Sequence, residues 1–502
     1  MKSMEKESIK ELKDRLLELA HLEATLGFLG WDEQVMMPER ATAFRAQTNA
    51  YLAGLHHEKF LELNKDGLLD KLSSSFNTLS KDEKVIVRET LRDYSRVKNI
   101  PTSLVEKISQ ISTEGYTVWM HAREKNDFTI FEPILERLVD LKIEEANYIS
   151  FKKSPYDALL DQFEPGMTID ELTVLFEKLK KFLVLFIKKT KSSKTKIEPL
   201  LGEFDLNSQQ NFSHFLAKKI GFDFESGRLD TSTHPFTSGI NPKDVRITTR
   251  YNKNDLMQSI MSTIHETGHA LYEQGLPAKK FGTPLGQSLS FGIHESQSMF
   301  WEKRIGTSVA FWKYFYPELE NHFKQSLSNV SLDQFYKSIN VVIPSLIRTD
   351  ADEATYCLHI ILRFELERDL IEQKIRVKDL KKLWNRKMKE YLDIDVPDDV
   401  RGILQDVHWS SGSFGYFPSY ALGNLYSAQF YATARKEISN FDQLVSKGDF
   451  ASIHAWLQKN IFSMGKRYTP TELVKRITGQ KLNPQFFFDY LEEKYKAIYK
   501  YQ

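Results

Sequence analysis

The sequence predicts a mainly α-helical fold, and three observations lead there. Apolar residues recur at helical spacing through most of the 502 positions. The 34 phenylalanines and 21 tyrosines are enough to fill a core between packed helices. Only one stretch, Gly227 to Tyr251, breaks the helical pattern.

In chain order, leucines and an isoleucine at helical spacing across 5–30 mark a first helix, ending near Gly27 and Gly30. The same period covers 83–98, 102–122, 129–150, 168–190, 310–340, 344–374, 377–392 and 420–437. The polar run KKTKSSKTK at 188–196 reads as a solvated loop. Between 227 and 251, Thr and β-branched residues alternate, most clearly from Val245 to Thr249. Gly239, Asn241 and Pro242 supply the turn before them. This predicts a small antiparallel sheet just upstream of the helix described below, with an edge strand able to pair with an extended peptide. No repeat or Pro/Gly/Ser-rich linker divides the chain, so 1–502 is read as a single large domain, with two lobes as the variant.

Charge and cysteine content remove several classes of function. Sixty-nine basic and 68 acidic side chains leave a formal charge of +1, which gives no electrostatic case for nucleic acid. The lone Cys357 excludes an internal disulfide framework, suits a reducing compartment and reads as a small buried apolar residue. The charged, helical first twenty residues do not resemble a secretory signal, and no window approaches the roughly 18 apolar residues of a membrane span. A cytoplasmic protein is expected, with the glycosylation-type triplets at Asn211 and Asn329 as chance matches.

The chemistry concentrates in NDLMQSIMSTIHETGHALYEQGLP. Asn254 or Asp255 can cap the start of this helix, and Gly275 and Pro277 end it. His265 and His269 are four residues apart, so both rings leave one face and can meet one ion. Glu266 stands next to them as a base for a water on that ion. An H-E-x-x-H string arises by chance in roughly one such chain in forty, so the third ligand matters. Tyr272 and Gly275 stand where a metzincin needs glycine and histidine, which excludes that class. Glu273 lies one turn too far along the same helix to converge easily. Glu295, in GIHESQSMFWEKRI, is on a second helix that can pack beside the first, with Glu302 as the weaker alternative.

Several separate motifs make the chain resemble the carboxypeptidase Taq family of metallocarboxypeptidases. They are HPF at His234–Phe236, D-x-R-x-T at Asp244, Arg246 and Thr248, HETGH, and HESQ at His294–Gln297. I-R-x-x-A-D follows at Ile347, Arg348, Ala351 and Asp352, then G-x-x-Q-D-x-H-W from Gly402 to Trp409. The early stretch GWDEQVMMPERATAFRAQ is also similar to the family's N-terminal region. The resemblance implies a helix-rich body with a deep central groove and one zinc, or another divalent ion such as cobalt, per chain. It places that ion on His265, His269 and Glu295, with Glu266 as general base. It further implies a homodimer that releases single residues from peptide C-termini with broad side-chain tolerance. The alternative is a zinc oligopeptidase cutting within short peptides.

An exopeptidase has to recognise a free carboxylate, for which a guanidinium fork is suited. Arg348 is the first choice, placed in a helix IPSLIRTDADEATY where pairing with Asp352 is the bland reading. Arg246 is a second clamp or a strand-orienting group. Asp350, Asp352 and Glu353 are candidates for holding the histidines. Tyr420 and His408 are chosen as donors to the oxyanion or the substrate carboxylate. Tyr416, His234 and His294 are further substrate contacts.

Overall fold

The structure, a computed structural model, describes residues 2–501. The first helix runs Lys2–Val35, straight through Gly27 and Gly30. Most of the expected helices follow within a few residues, and their ends carry recognisable caps. Lys81–Val97 opens with a Ser80/Glu83 capping box. In Ile169–Lys191, the Thr168 side chain accepts from the Glu171 N–H, while Asn126 in a left-handed conformation ends Thr102–Lys125. Among the described residues, no helix is long and apolar enough to cross a membrane.

Two expected helices are broken. The 310–340 pattern divides into Val309–His322, Lys324–Leu327 and Leu332–Ser338, because Phe323 leaves helical geometry and a Ser331/Gln334 capping box starts a new helix. Of 344–374, only Tyr356–Ile371 is α-helix. Upstream, the Asp352 carboxylate accepts from the backbone N–H groups of Ile343, Ala354 and Thr355, so side-chain bonds replace the helical ladder. Arg348 therefore sits on a short 3₁₀ turn, Arg348–Asp350, rather than on a helix.

The sheet lies where expected but is mixed, not purely antiparallel. Its order is β1 (Gly227–Thr231), β3 (Asp244–Thr249), β2 (Thr237–Asn241). β2 and β3 form an antiparallel pair with Thr237 opposite Ile247, whereas β1 runs parallel to β3 with Gly227 opposite Val245. The hairpin joins β2 to β3 at Pro242 and Lys243. The preceding segment then has to carry the chain past β3 to its far edge, which leaves β1 pointing the same way as β3. Gly239 is in β2 beside a register shift rather than in the turn. Val245 and Ile247 bury against Ala270 and Phe222, fixing the sheet to the HETGH helix.

One large apolar cluster runs through the body, from Leu104 to Tyr499 in sequence. A smaller one under the N-terminal helices includes Leu12, Leu19, Leu69, Leu72 and Val87. The body holds a cavity of about 1440 Å³. Its walls come from the first helix (Glu23), the sheet (Phe236, Thr237), the HETGH helix, the HESQ helix, and the segments around Arg348 and His408–Tyr420.

Candidate metal centre

The HETGH helix spans Leu256–Gly275, capped by the Asp255 side chain, which accepts from the Gln258 N–H. The HESQ helix spans Phe291–Met299 and continues as a π-helical turn, Phe300–Ile305. A third helix, Pro418–Glu437, covers it from the other side. Glycine sets the spacing at both contacts. A Cβ on Gly268 would lie 2.6 Å from the Gln297 carbonyl oxygen, and one on Gly423 would lie 2.4 Å from Glu295 Cγ. Close backbone approach on both sides thus fixes where Glu295 points.

It points at the histidines. Glu295 Oε2 is 3.3 Å from His269 Nε2 and 3.7 Å from His265 Nε2. Bonds of about 2.1 Å to a tetrahedral ion separate neighbouring donor atoms by about 3.4 Å, so this spacing fits a small divalent cation. His265, His269 and Glu295 are the group of possible ligands found among the described residues. Glu295 Oε1 is buried without a hydrogen-bond partner, which also suits a site completed by an ion. Glu266, Glu295 and Glu302 are all at least 93 % buried, since the most exposed of them retains 7 %. Burial works against a proton on His265, but the nearby Glu295 and Glu302 carboxylates raise it to about 10. Three buried carboxylates make this a site for positive charge.

The surrounding groups sort by contact. Glu302 faces the opposite ring nitrogen of His265, with Oε2 2.8 Å from Nδ1, and its Oε1 is 2.6 Å from Lys303 Nζ. It is thus placed to orient His265 rather than to share an ion with Glu295. Glu266 Oε2 accepts from the Thr237 hydroxyl at 2.6 Å. His294 stacks on His269 with ring centroids 4.5 Å apart, and its Nε2 is 2.7 Å from Glu273 Oε1.

Arg348 is 5 % exposed and lines the cavity. Its partner is Asp406, not Asp352. Nε donates to Asp406 Oδ1 at 2.9 Å and Nη1 to the Tyr356 hydroxyl at 3.3 Å, leaving the rest of the fork for the groove. Arg363 Nε donates to the other oxygen of Asp406 at 2.6 Å. Burial opposes the charge on Asp406, yet the two guanidinium groups hold its carboxyl well below the usual range. Tyr420 lies under the Arg348 guanidinium at 5.0 Å, and its hydroxyl is 3.2 Å from His408 Nε2. Burial pushes His408 down to about 3, with the Arg348 and Arg363 charges adding to it against the pull of Asp406, so the ring is neutral. Tyr416 packs edge-on to Tyr420 at 5.3 Å in the same wall, and His234 also lines the cavity.

The remaining candidates have other partners or none of the expected ones. Both Nε and Nη2 of Arg246 are engaged by Asp244, at 2.8 and 3.0 Å, and its guanidinium stacks on Phe28 and Trp31. Asp350 lines the cavity, Asp352 holds its own turn, and Glu353 pairs with Lys494 at 2.7 Å and with Arg304. The acidic groups on His265 and His294 are instead Glu302 and Glu273. Sequence reasoning did not assign Thr237, Asp406, Tyr356, Gly268 or Gly423. For Asp406 the Q-D-x-H motif was a signal, and for Glu302 its two-turn spacing from Glu295 was another.

Residues 11–495 match the family model described as carboxypeptidase Taq (M32) metallopeptidase. The chain belongs to that family. It is 38% identical over 493 residues to carboxypeptidase 1 of Bacillus subtilis, covering 98% of each chain. To thermostable carboxypeptidase 1 of Thermus thermophilus it is 40% identical over 497 residues, covering 96% of this chain and 97% of the relative. The crystal structure of the M32 carboxypeptidase from Deinococcus radiodurans superposes with a TM-score of 0.94 at 37% identity, covering 98% of this chain and 99% of that one. The helical fold and its small sheet are therefore those of an M32 carboxypeptidase.

Proposed function

We propose that this metal-dependent carboxypeptidase removes single residues from peptide C-termini with broad side-chain tolerance. The observation that carries the reading is the convergence of His265, His269 and Glu295 beside Glu266, in the groove that Arg348 also lines. His265, His269 and Glu295 would hold the ion, and two imidazoles with one carboxylate favour zinc, with cobalt as the substitute. A divalent cation bound there supplies a Lewis acid for the scissile carbonyl and makes water easier to deprotonate.

The chain's own groups do the rest. Glu266 takes a proton from the attacking water and delivers it to the departing amine. Arg348 receives the terminal carboxylate, so that only the last peptide bond reaches the ligand cluster. Tyr420 donates to the oxyanion or the terminal carboxylate, and neutral His408 keeps that hydroxyl oriented. His234, His294 and Tyr416 contact the bound peptide, and the open edge of β2 is available for its backbone. Arg246, engaged by Asp244, orients the strand. The reading extends to a cytoplasmic homodimer, supported by the family resemblance and by a single buried cysteine.

The test is a matched pair of peptides, one with a free C-terminus and one amidated, followed by mass spectrometry. Stepwise shortening of the free peptide alone is expected. Equal cleavage of both, or internal cuts, refutes the assignment. Glu266→Gln should retain metal and lose turnover.

A further inference from the structure

The hydrogen bond from β2 to the HETGH helix carries an inference that rests on the reading of Glu266 as the base. We propose that Thr237 is a positioning residue for this carboxylate: its hydroxyl occupies one oxygen, so that only the other meets the reacting water and amine. Thr237 Oγ1 lies 2.6 Å from Glu266 Oε2 and 3.1 Å from the Glu266 carbonyl oxygen. A threonine hydroxyl has one proton to give. The carboxylate is both the nearer acceptor and the charged one, and charge-assisted bonds are the stronger kind.

The hydroxyl is not free to wander. Thr237 begins β2, opposite Ile247. Its neighbour Phe236 is tied to β3 twice: the Phe236 N–H donates to Thr248 Oγ1 at 2.9 Å, and the Thr248 N–H donates to the Phe236 carbonyl at 2.9 Å. On the other side, Ser238 Oγ donates to the Gly27 carbonyl of the first helix at 3.4 Å. Strand alternation then puts Thr237 on the face towards the HETGH helix. Bonds to β3 and to the first helix on either side of Thr237 thus hold the donor within reach of the base.

This matters because the two oxygens of a free carboxylate are chemically equivalent. A proton collected on the oxygen facing the strand could not be handed to the amine without rotation of the group. With Oε2 already accepting a bond, Oε1 is the oxygen left to take the proton and release it in the same place. The hydroxyl touches neither substrate nor ion in this scheme and acts only through Glu266.

The experiment uses the metal-loaded protein and a free-ended peptide, comparing Thr237→Val, which keeps the shape, with Thr237→Ser, which keeps the hydroxyl. The valine variant is expected to lose on the order of ten- to hundredfold in kcat. Its KM and metal content should stay near the parent values, and serine should restore most of the rate. A valine variant within about twofold of the parent in kcat overturns the proposal, as does a serine variant as slow as valine. If valine prevents folding, Thr237→Ala against Thr237→Ser gives the same comparison. Glu266→Gln, run alongside, separates the two ideas. An active glutamine variant sinks the base assignment, whereas an inactive one beside a fast valine variant sinks only the role of Thr237.

Discussion

Replacing Gly268 by alanine tests whether helix spacing, and not only ligand identity, builds the centre. The added methyl would sit 2.6 Å from the Gln297 carbonyl oxygen and 2.7 Å from Ser298 Cα, where ordinary contact begins at 3.4 Å. Both neighbours are backbone, so the HESQ helix has to retreat by roughly 0.8 Å to reach that distance. Metal–ligand bonds tolerate about 0.2 Å, so Glu295 can no longer complete the set. Two effects compete in the free protein. Alanine improves helix propensity by about 1 kcal/mol, while overpacking costs about 1–3 kcal/mol. With rigid backbone on the far side, the second should win. The expected outcome is a lower unfolding midpoint and a loss of zinc affinity on the order of ten- to hundredfold, measured by competition with a chromogenic chelator. Gly30→Ala is the control, since nothing lies within 4 Å of its added methyl, and it should be neutral or stabilising. A Gly268→Ala protein with parental zinc affinity and a raised midpoint would refute the reasoning.

Two further outcomes follow from buried carboxylates. Glu302→Ala removes the acceptor on His265 Nδ1 and should weaken zinc binding about 10–100-fold, while Glu302→Gln, which keeps an acceptor, should lose less; chelator competition on both variants checks the order. Glu367 accepts from Trp409 Nε1, the Tyr156 hydroxyl and the Gly415 N–H, yet burial raises it from 4.5 to about 7. A carboxyl raised on folding favours the folded state most below pH 4.5, and that contribution fades as pH climbs through 7, by on the order of 3 kcal/mol. Urea unfolding at pH 5 and pH 8 should show the decline, and Glu367→Gln should make it shallower, the remaining slope belonging to Glu164 and Asp352, which burial raises to about 7 and about 6.

Much of the centre could be read from sequence because its determinants are local. The four-residue interval between His265 and His269, the Asp255 cap and the Gly275 stop are all carried by one helix. Glu295 was within reach because a second helical segment carries a motif of its own. What escaped depends on long-range placement. Nothing within IPSLIRTDADEATY says that Arg348 pairs with Asp406, 58 residues later, rather than with Asp352. The helix expected there failed because Asp352 bonds its neighbours' N–H groups, and side-chain competition of that kind leaves the apolar period intact. The sheet's parallel pairing depends on which edge of β3 receives β1, and strand composition does not encode that order. Glu302 was ranked below Glu295 as a ligand, but its contact with the far ring nitrogen of His265 could not be read from the sequence.

Cys357 has a practical corollary. It is fully buried, accepts a hydrogen bond from Asn424 Nδ2 at 3.3 Å, and burial lifts its thiol to about 12. Maleimide reagents attack the accessible thiolate, so the native chain should stay silent to them while folded. A pair of cysteines introduced at Glu23 and Asp350, both on the walls of the groove, would then take spin labels or fluorophores without prior removal of the native thiol. Opening and closing of the groove around a peptide could be followed by distance in the otherwise unaltered protein.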